Sequence, residues 1–270
     1  MITDADKHLF HEQGYLVVES VVPETLCAAV RDTIAEYLGV RADDPSTWYR
    51  RDVQGHGIVP LHHPQAFWDL RQHPGIHAAF AALYGTEKLW VSIDRASFKP
   101  PSRGFSGTYR VDPIHWDGDP RRDGLSIQGL VYLSDTSAEQ GGFCCVPQLY
   151  RQLDDWLARQ TDPQALRRPN VNEFEVERIG APAGSLVLWN RRMPHSSAEN
   201  VGTTPRWVQY VWMEPEGDAQ ARQELAALYR EKRPPEWAVR QQIAEQQIPE
   251  PGEPAVLTPL GRKLAGLIPW

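Results

Sequence analysis

Apolar residues along this chain first recur at helical spacing and later in short alternating runs. Leu26, Val30, Ile34, Tyr37 and Leu38 form a stripe behind Pro23 and Glu24, residues suited to a first helical turn, and Gly39 follows as a stop. This predicts a helix over 23–38, preceded by a short strand over 15–18. Residues 41–63 are polar and lack a period, which predicts loop. Pro64 and Pro74 open two short helices that end at Gly85. Residues 89–99 alternate, with Asp94, Ala96 and Phe98 on one face and Ile93, Arg95, Ser97 and Lys99 on the other. Further strands are predicted over 125–133, 143–146, 174–179, 185–189 and 206–213, with a helical segment near 151–168 interrupting them. Many short strands separated by Gly, Pro, Asp and Asn predict a sandwich or barrel. Residues 214–270 are rich in Glu, Gln, Arg and Pro and read as a helical tail packed on it. The chain is expected to be a single domain, with a mainly helical part and lid loops over 1–88.

Composition narrows the function classes. With 270 residues, 41% of them hydrophobic, the chain can bury a large core, and ten tryptophans predict flat aromatic walls. A net charge of -7 argues against a general nucleic-acid binder. Three cysteines, Cys27, Cys144 and Cys145, make no disulfide framework and suggest a reducing compartment. The N-terminus has no basic start followed by an apolar run, and no segment is apolar enough to span a membrane. The expectation is a soluble, cytoplasmic protein with a small-molecule partner, no nucleic acid and no membrane. Oligomeric state leaves no mark in the sequence.

The chemistry starts at His115-Trp116-Asp117. On a strand, positions i and i+2 face the same way, so His115 and Asp117 can reach one metal ion. His195 follows the apolar run 185–189, which carries it back across the barrel. Two histidines and one carboxylate leave three octahedral positions open, the facial triad of non-haem iron(II) sites, with room for a bidentate 2-oxo acid and dioxygen. Arg206 shares a strand face with Val208, Tyr210 and Trp212. An arginine turned into an apolar interior needs an anion, and the far carboxylate of 2-oxoglutarate would serve. The Ser197 hydroxyl can add a hydrogen bond to the same group. Gln128 is expected to point inward and joins the cofactor-binding set. Candidate substrate residues are Asp94 and Arg95 on the 89–99 strand, Trp116 as a wall, and Tyr49, Arg50 and His62 in the irregular stretch. His73 and His77 lack the glutamate of a helical metal motif and read as structural or exposed.

In order along the chain, GYLVVESVVP, HWDGD, QGLVYLSDTSAEQGGFCCVP and APAGSLVLWNRRMPHSSAENVGTTPRWVQYVW resemble the phytanoyl-CoA dioxygenase family. The resemblance spans about residues 8–213 and is weaker between 40 and 88. It implies a double-stranded β-helix, a cupin-like jelly roll with its core over 89–213. It also implies iron(II) on His115, Asp117 and His195, with 2-oxoglutarate on Arg206 and Ser197, and dioxygen as oxidant. Where the family often has Pro-Gly-Ser-His, this chain has Pro147-Gln148-Leu149-Tyr150, which separates it from the family's substrate loop. The carboxylate at Asp117 favours hydroxylation over halogenation, which needs a small residue there. Desaturation, epimerisation and ring formation share the oxidant. Two rivals stand beside this reading: a non-catalytic cupin-like binding protein, and a zinc or manganese enzyme using the same triad.

Overall fold

The computed structural model describes residues 2–49, 57–105, 111–241, 248–250 and 252–270. Among these residues eleven strands run in order: β1 (Tyr15–Val18), β2 (Ile58–Val59), β3 (Leu89–Val91), β4 (Ala96–Lys99), β5 (Ile127–Tyr132), β6 (Phe143–Cys145), β7 (Glu177–Ile179), β8 (Leu186–Asn190), β9 (His195–Ser197), β10 (Arg206–Tyr210) and β11 (Met213–Pro215). Eight of them form one sheet in the order β1-β8-β5-β10-β4-β2, with β11 joining β5 to β3. The other three form a small sheet, β7-β6-β9. The strand pairings within both sheets are antiparallel.

Side-chain alternation builds three layers. Leu130, Tyr132, Val187, Trp189 and Val208 leave the large sheet on one face and pack with Phe143 and Cys145 of the small sheet. Val131, Leu133, Leu186, Leu188 and Trp207 leave it on the other face and pack under helices. The helices there are α1 (Asp4–Gln13), α2 (Glu24–Leu38), α3 (Gln65–Arg71) and α4 (Pro74–Tyr84). Helix α2 buries Cys27, Val30, Ile34 and Leu38, the predicted stripe. Helices α5 (Pro147–Arg151) and α6 (Leu153–Ala158) cover the outer face of the small sheet, where Leu149, Leu153 and Trp156 meet Trp116 and Cys144. The tail supplies α7 (Ala219–Arg230), α8 (Glu236–Arg240) and α9 (Pro259–Leu264), and Leu264 and Ala265 close on the helical layer. All three cysteines are free and buried. No helix among the described residues is long and apolar enough to cross a membrane.

The broad expectation, mostly antiparallel strands with flanking helices, holds. Several details differ. The predicted 89–99 strand breaks into β3 and β4, which pair with different strands, β3 with β11 and β4 with β10. The loop reading of 41–63 missed β2, a two-residue edge strand on β4. The strand expected over 174–179 is only β7, since 172–174 form a turn. The predicted helix near 151–168 ends at Ala158, and Thr161-Asp162-Pro163 cannot extend it. Pro147-Gln148-Leu149-Tyr150 starts α5, and Tyr150 packs so closely on Gly14 that a Cβ there would lie 2.6 Å from its ring.

Candidate metal centre and co-substrate pocket

His115 and Asp117 do not lie on a strand, which corrects the expected i, i+2 geometry. His115 makes an isolated bridge to His195, its N–H donating to the His195 carbonyl at 3.0 Å and its carbonyl accepting in return at 3.0 Å. That bridge extends the small sheet past β9 and sets the two imidazoles side by side, ring centroids 5.0 Å apart. The chain then turns and returns Asp117 to the same face. Ligand atoms of His115, Asp117 and His195 all lie within 4.8 Å of one another, the only such group of three found among the described residues. His115 Nε2 is 3.6 Å from Asp117 Oδ1, and His195 Nε2 is 3.4 Å from Asp117 Oδ2.

Backbone carbonyls set the tautomers. His115 Nδ1 is 2.8 Å from the Pro113 carbonyl and His195 Nδ1 is 2.9 Å from that of Met193. A carbonyl only accepts, so each Nδ1 carries the proton and each Nε2 is free for a metal. Burial alone would lower the His115 pKa, but the Asp117 carboxylate and the Pro113 carbonyl outweigh it and raise it. Burial would raise the Asp117 pKa, yet the two imidazoles facing it hold it well below the usual carboxylate value. Gln128 lies behind the ligands. Its amide donates to Asp117 Oδ2 at 2.7 Å, and its carbonyl accepts from Trp189 Nε1 at 3.2 Å. It braces the carboxylate from the same cavity wall that carries Arg206.

The centre opens into a cavity of about 1010 Å³, whose wall includes Asp94, Arg95, Gln128, Ser197, Arg206 and Tyr210. Arg206 is fully buried. One of its guanidinium nitrogens, Nη2, donates to Ser97 Oγ at 2.8 Å, while Nε and Nη1 have no partner among the described residues. A buried cation with two unsatisfied donors costs several kcal/mol unless an anion meets it. That fits a carboxylate end-on, as the three ligand atoms fit iron(II).

Sequence reasoning passed over Lys99. It pairs directly with Arg206 across the β4–β10 ladder, is itself fully buried, and donates to Ser197 Oγ at 2.7 Å and to the Ala198 carbonyl at 3.0 Å. The alternation of Ser97 and Lys99 on one face was the signal available. Also missed were Arg191, Trp237 and Gln241 on the cavity wall. Arg95 lies 5.0 Å from the Trp237 ring centroid and donates to Gln241 at 3.0 Å. Trp116 touches the cavity, but its indole donates to the Arg192 carbonyl and packs on Trp156.

Tyr49 and His62 are not among the wall residues. Tyr49 donates to the Pro101 carbonyl, and His62 is buried against the Ile93 carbonyl, where burial drives its pKa down to about 3. Arg50 lies outside the described residues. His73 caps α4 and His77 stacks on Trp270, both structural as expected.

The model of the phytanoyl-CoA dioxygenase (PhyH) family matches residues 10–208. The chain belongs to that family. Membership places it among the iron- and 2-oxoglutarate-dependent oxygenases. A relative from Aspergillus versicolor, Ava biosynthesis cluster protein O, is 24% identical over 238 residues, covering 76% of each chain. Two solved structures share the fold. GlcNAc Inducible Gene 2 of Candida albicans superposes with a TM-score of 0.71 at 15% identity, over 98% of this chain and 78% of the other. The epimerase SnoN, in complex with Fe3+, alpha ketoglutarate and nogalamycin RO, gives 0.60 at 18% identity, over 94% and 95%.

Proposed function

We propose that this protein hydroxylates an unactivated C–H bond of a small molecule, consuming dioxygen and 2-oxoglutarate and releasing succinate and carbon dioxide. The observation that carries the reading is one cavity holding two free Nε2 atoms and a carboxylate at ligand spacing, with a buried, half-unpaired Arg206 on the same wall. We read the two sheets as the leaves of a double-stranded β-helix, within a single domain of 1–270.

His115, Asp117 and His195 would hold iron(II) at the cavity. Gln128 fixes the Asp117 carboxylate and so the angle at which it meets the metal. Arg206 receives the far carboxylate of 2-oxoglutarate, with Ser197 beside it and Lys99 adding positive charge from behind. Bound there, iron and 2-oxoglutarate would supply the oxidising chemistry that hydroxylation of a C–H bond needs. Trp189 and Phe143 wall the metal side and exclude water from it. Asp94 and Arg95 stand on the substrate side. SnoN is an epimerase, so product analysis has to distinguish hydroxylation from epimerisation.

The test is an anaerobic titration of the apoprotein with iron(II) and 2-oxoglutarate, watching the visible charge-transfer band of the chelate. The band is expected in wild type, absent in His115→Ala, and displaced to much higher 2-oxoglutarate in Arg206→Ala. A folded, iron-loaded wild type without the band refutes the assignment and favours the binding-protein or other-metal reading.

A further inference from the structure

The cavity wall carries a charge pattern that the metal centre and the co-substrate do not use. Six arginines line it against four aspartates, in a chain whose net charge is -7. Arg121 is neutralised by Asp119 at 2.7 Å, and Arg95 Nε lies 3.7 Å from Asp94. Arg206 would take the far carboxylate of 2-oxoglutarate, and the near carboxylate together with Asp117 would offset the two charges of the ferrous ion. Arg167, Arg168 and Arg191 are left against Asp112, and none of the three has a carboxylate within ion-pair distance among the described residues, although Arg191 acts at longer range on Glu214.

Two of them, Arg167 and Arg191, are tied to the metal-ligand segment or its neighbours. Trp116, between the ligands His115 and Asp117, donates its backbone N–H to the Arg167 carbonyl at 3.3 Å. The Arg191 backbone N–H donates to the Ser126 carbonyl at 2.8 Å, which anchors that turn at the start of β5. The Arg191 guanidinium lies over Gly118, the residue after Asp117. A Cβ at Gly118 would stand 2.7 Å from Arg191 Nη2 and 3.2 Å from Cζ and Nε, so glycine opens the seat the guanidinium occupies. Arg191 is half-buried, while Arg167 and Arg168 are exposed at the rim.

We propose that the substrate carries an anionic oxygen group, a carboxylate or a phosphate, bound by Arg191 beside the metal centre with Arg167 and Arg168 meeting it from the rim. This rests on the oxygenase reading above. A planar guanidinium matches either group with paired hydrogen bonds, and a partly enclosed wall strengthens them.

The probes are 2-naphthoate and 2-naphthyl phosphate, with 2-naphthamide as the uncharged counterpart. They are titrated into protein loaded with zinc(II) and saturating 2-oxoglutarate, which keeps Arg206 occupied. Binding is read by quenching of the cavity tryptophans Trp189, Trp212 and Trp237. At least one anion is expected to bind about tenfold more tightly than the amide, and Arg191→Gln is expected to bring that ratio to within about twofold. The double variant Arg167→Gln, Arg168→Gln is expected to lower it less. Anions that bind no better than the amide, fail to bind, or bind Arg191→Gln as well as wild type overturn the proposal. Uptake of 2-oxoglutarate is measured on the same samples. A protein that takes it up without preferring anions loses only this inference. One that prefers anions through Arg191 but takes up no 2-oxoglutarate keeps the anion site and loses the oxygenase reading.

Discussion

Replacing Lys99 by methionine tests the electrostatics of the co-substrate end. Burial first, and then the neighbouring Arg206 guanidinium, push the Lys99 pKa down to about 7. In the ligand-free protein the ammonium therefore loses its proton near neutrality. A carboxylate held by Arg206, the cross-strand neighbour of Lys99, favours the charged lysine and raises its pKa. The sign follows by linkage: the complex binds more protons than the free protein above pH 7, so 2-oxoglutarate affinity must fall as pH rises. Below about pH 7 the lysine is already charged and affinity is flat. Above it the loss approaches tenfold per pH unit until the pKa of the complex is reached, or about fiftyfold between pH 7 and 9. Lys99→Met removes that slope and leaves a weaker, flat affinity. Because the methionine replaces a buried cation already crowded by Arg206, the variant should still fold. The assay is the anaerobic charge-transfer titration at several pH values between about 6 and 9, on wild type and variant in parallel, so that ionisation at the metal is subtracted. A wild type with no slope, or a variant that keeps the wild-type slope, refutes the argument.

Two further predictions concern the metal and the fold. Gln128→Leu removes the amide that braces Asp117 Oδ2 and is expected to weaken iron(II) binding about 10- to 100-fold without unfolding the protein, as measured by competition with a chelating dye. Gly184→Ala is expected to destabilise by about 3 kcal/mol or more in chemical denaturation. Gly184 has φ +78°, and an added Cβ would lie 2.1 Å from the Val22 carbonyl oxygen, a backbone atom that also sits next to the Val21 and Val22 N–H bonds to Gly184.

The parts of the fold with a clear period were legible. The α2 stripe, strands β5, β8 and β10, and the proline-opened helices α3 and α4 all sit close to where alternation or helical spacing placed them. Helix α1 was not singled out, although Thr3 and Asp6 form a capping box. The triad was found for a reason that proved partly wrong. His115 and Asp117 meet the metal site from a turn, and the strand geometry belongs to His195, which bridges back to His115. Spacing alone does not separate these cases, because an i, i+2 pair can converge from a turn as well as from a strand. Arg206 was legible because a charged residue on the inner face of an apolar strand has few explanations. Lys99 carried the same signal but sat in a run that the structure splits at Asp94 and Arg95, so its face could not be assigned with the same force.

The proposed co-substrate and substrate ends of the cavity also differ in where they lie along the chain. The family match runs over residues 10–208 and contains His115, Asp117, His195, Arg206 and Lys99. Trp237 and Gln241, which flank Arg95 on the wall, lie beyond it, on and just after α8. Arg167 and Arg168 lie within the match but on irregular chain between α6 and β7. Ligands to an ion and a dicarboxylate must be held to a few tenths of an ångström, which favours residues on or against sheet strands. A substrate wall only has to present charge and shape, which loops and a packed tail can do and can vary. A strand period therefore points to Lys99, His195 and Arg206, and not to the second set. Exchange of the tail segment around α8 should accordingly change substrate preference while leaving uptake of iron(II) and 2-oxoglutarate intact.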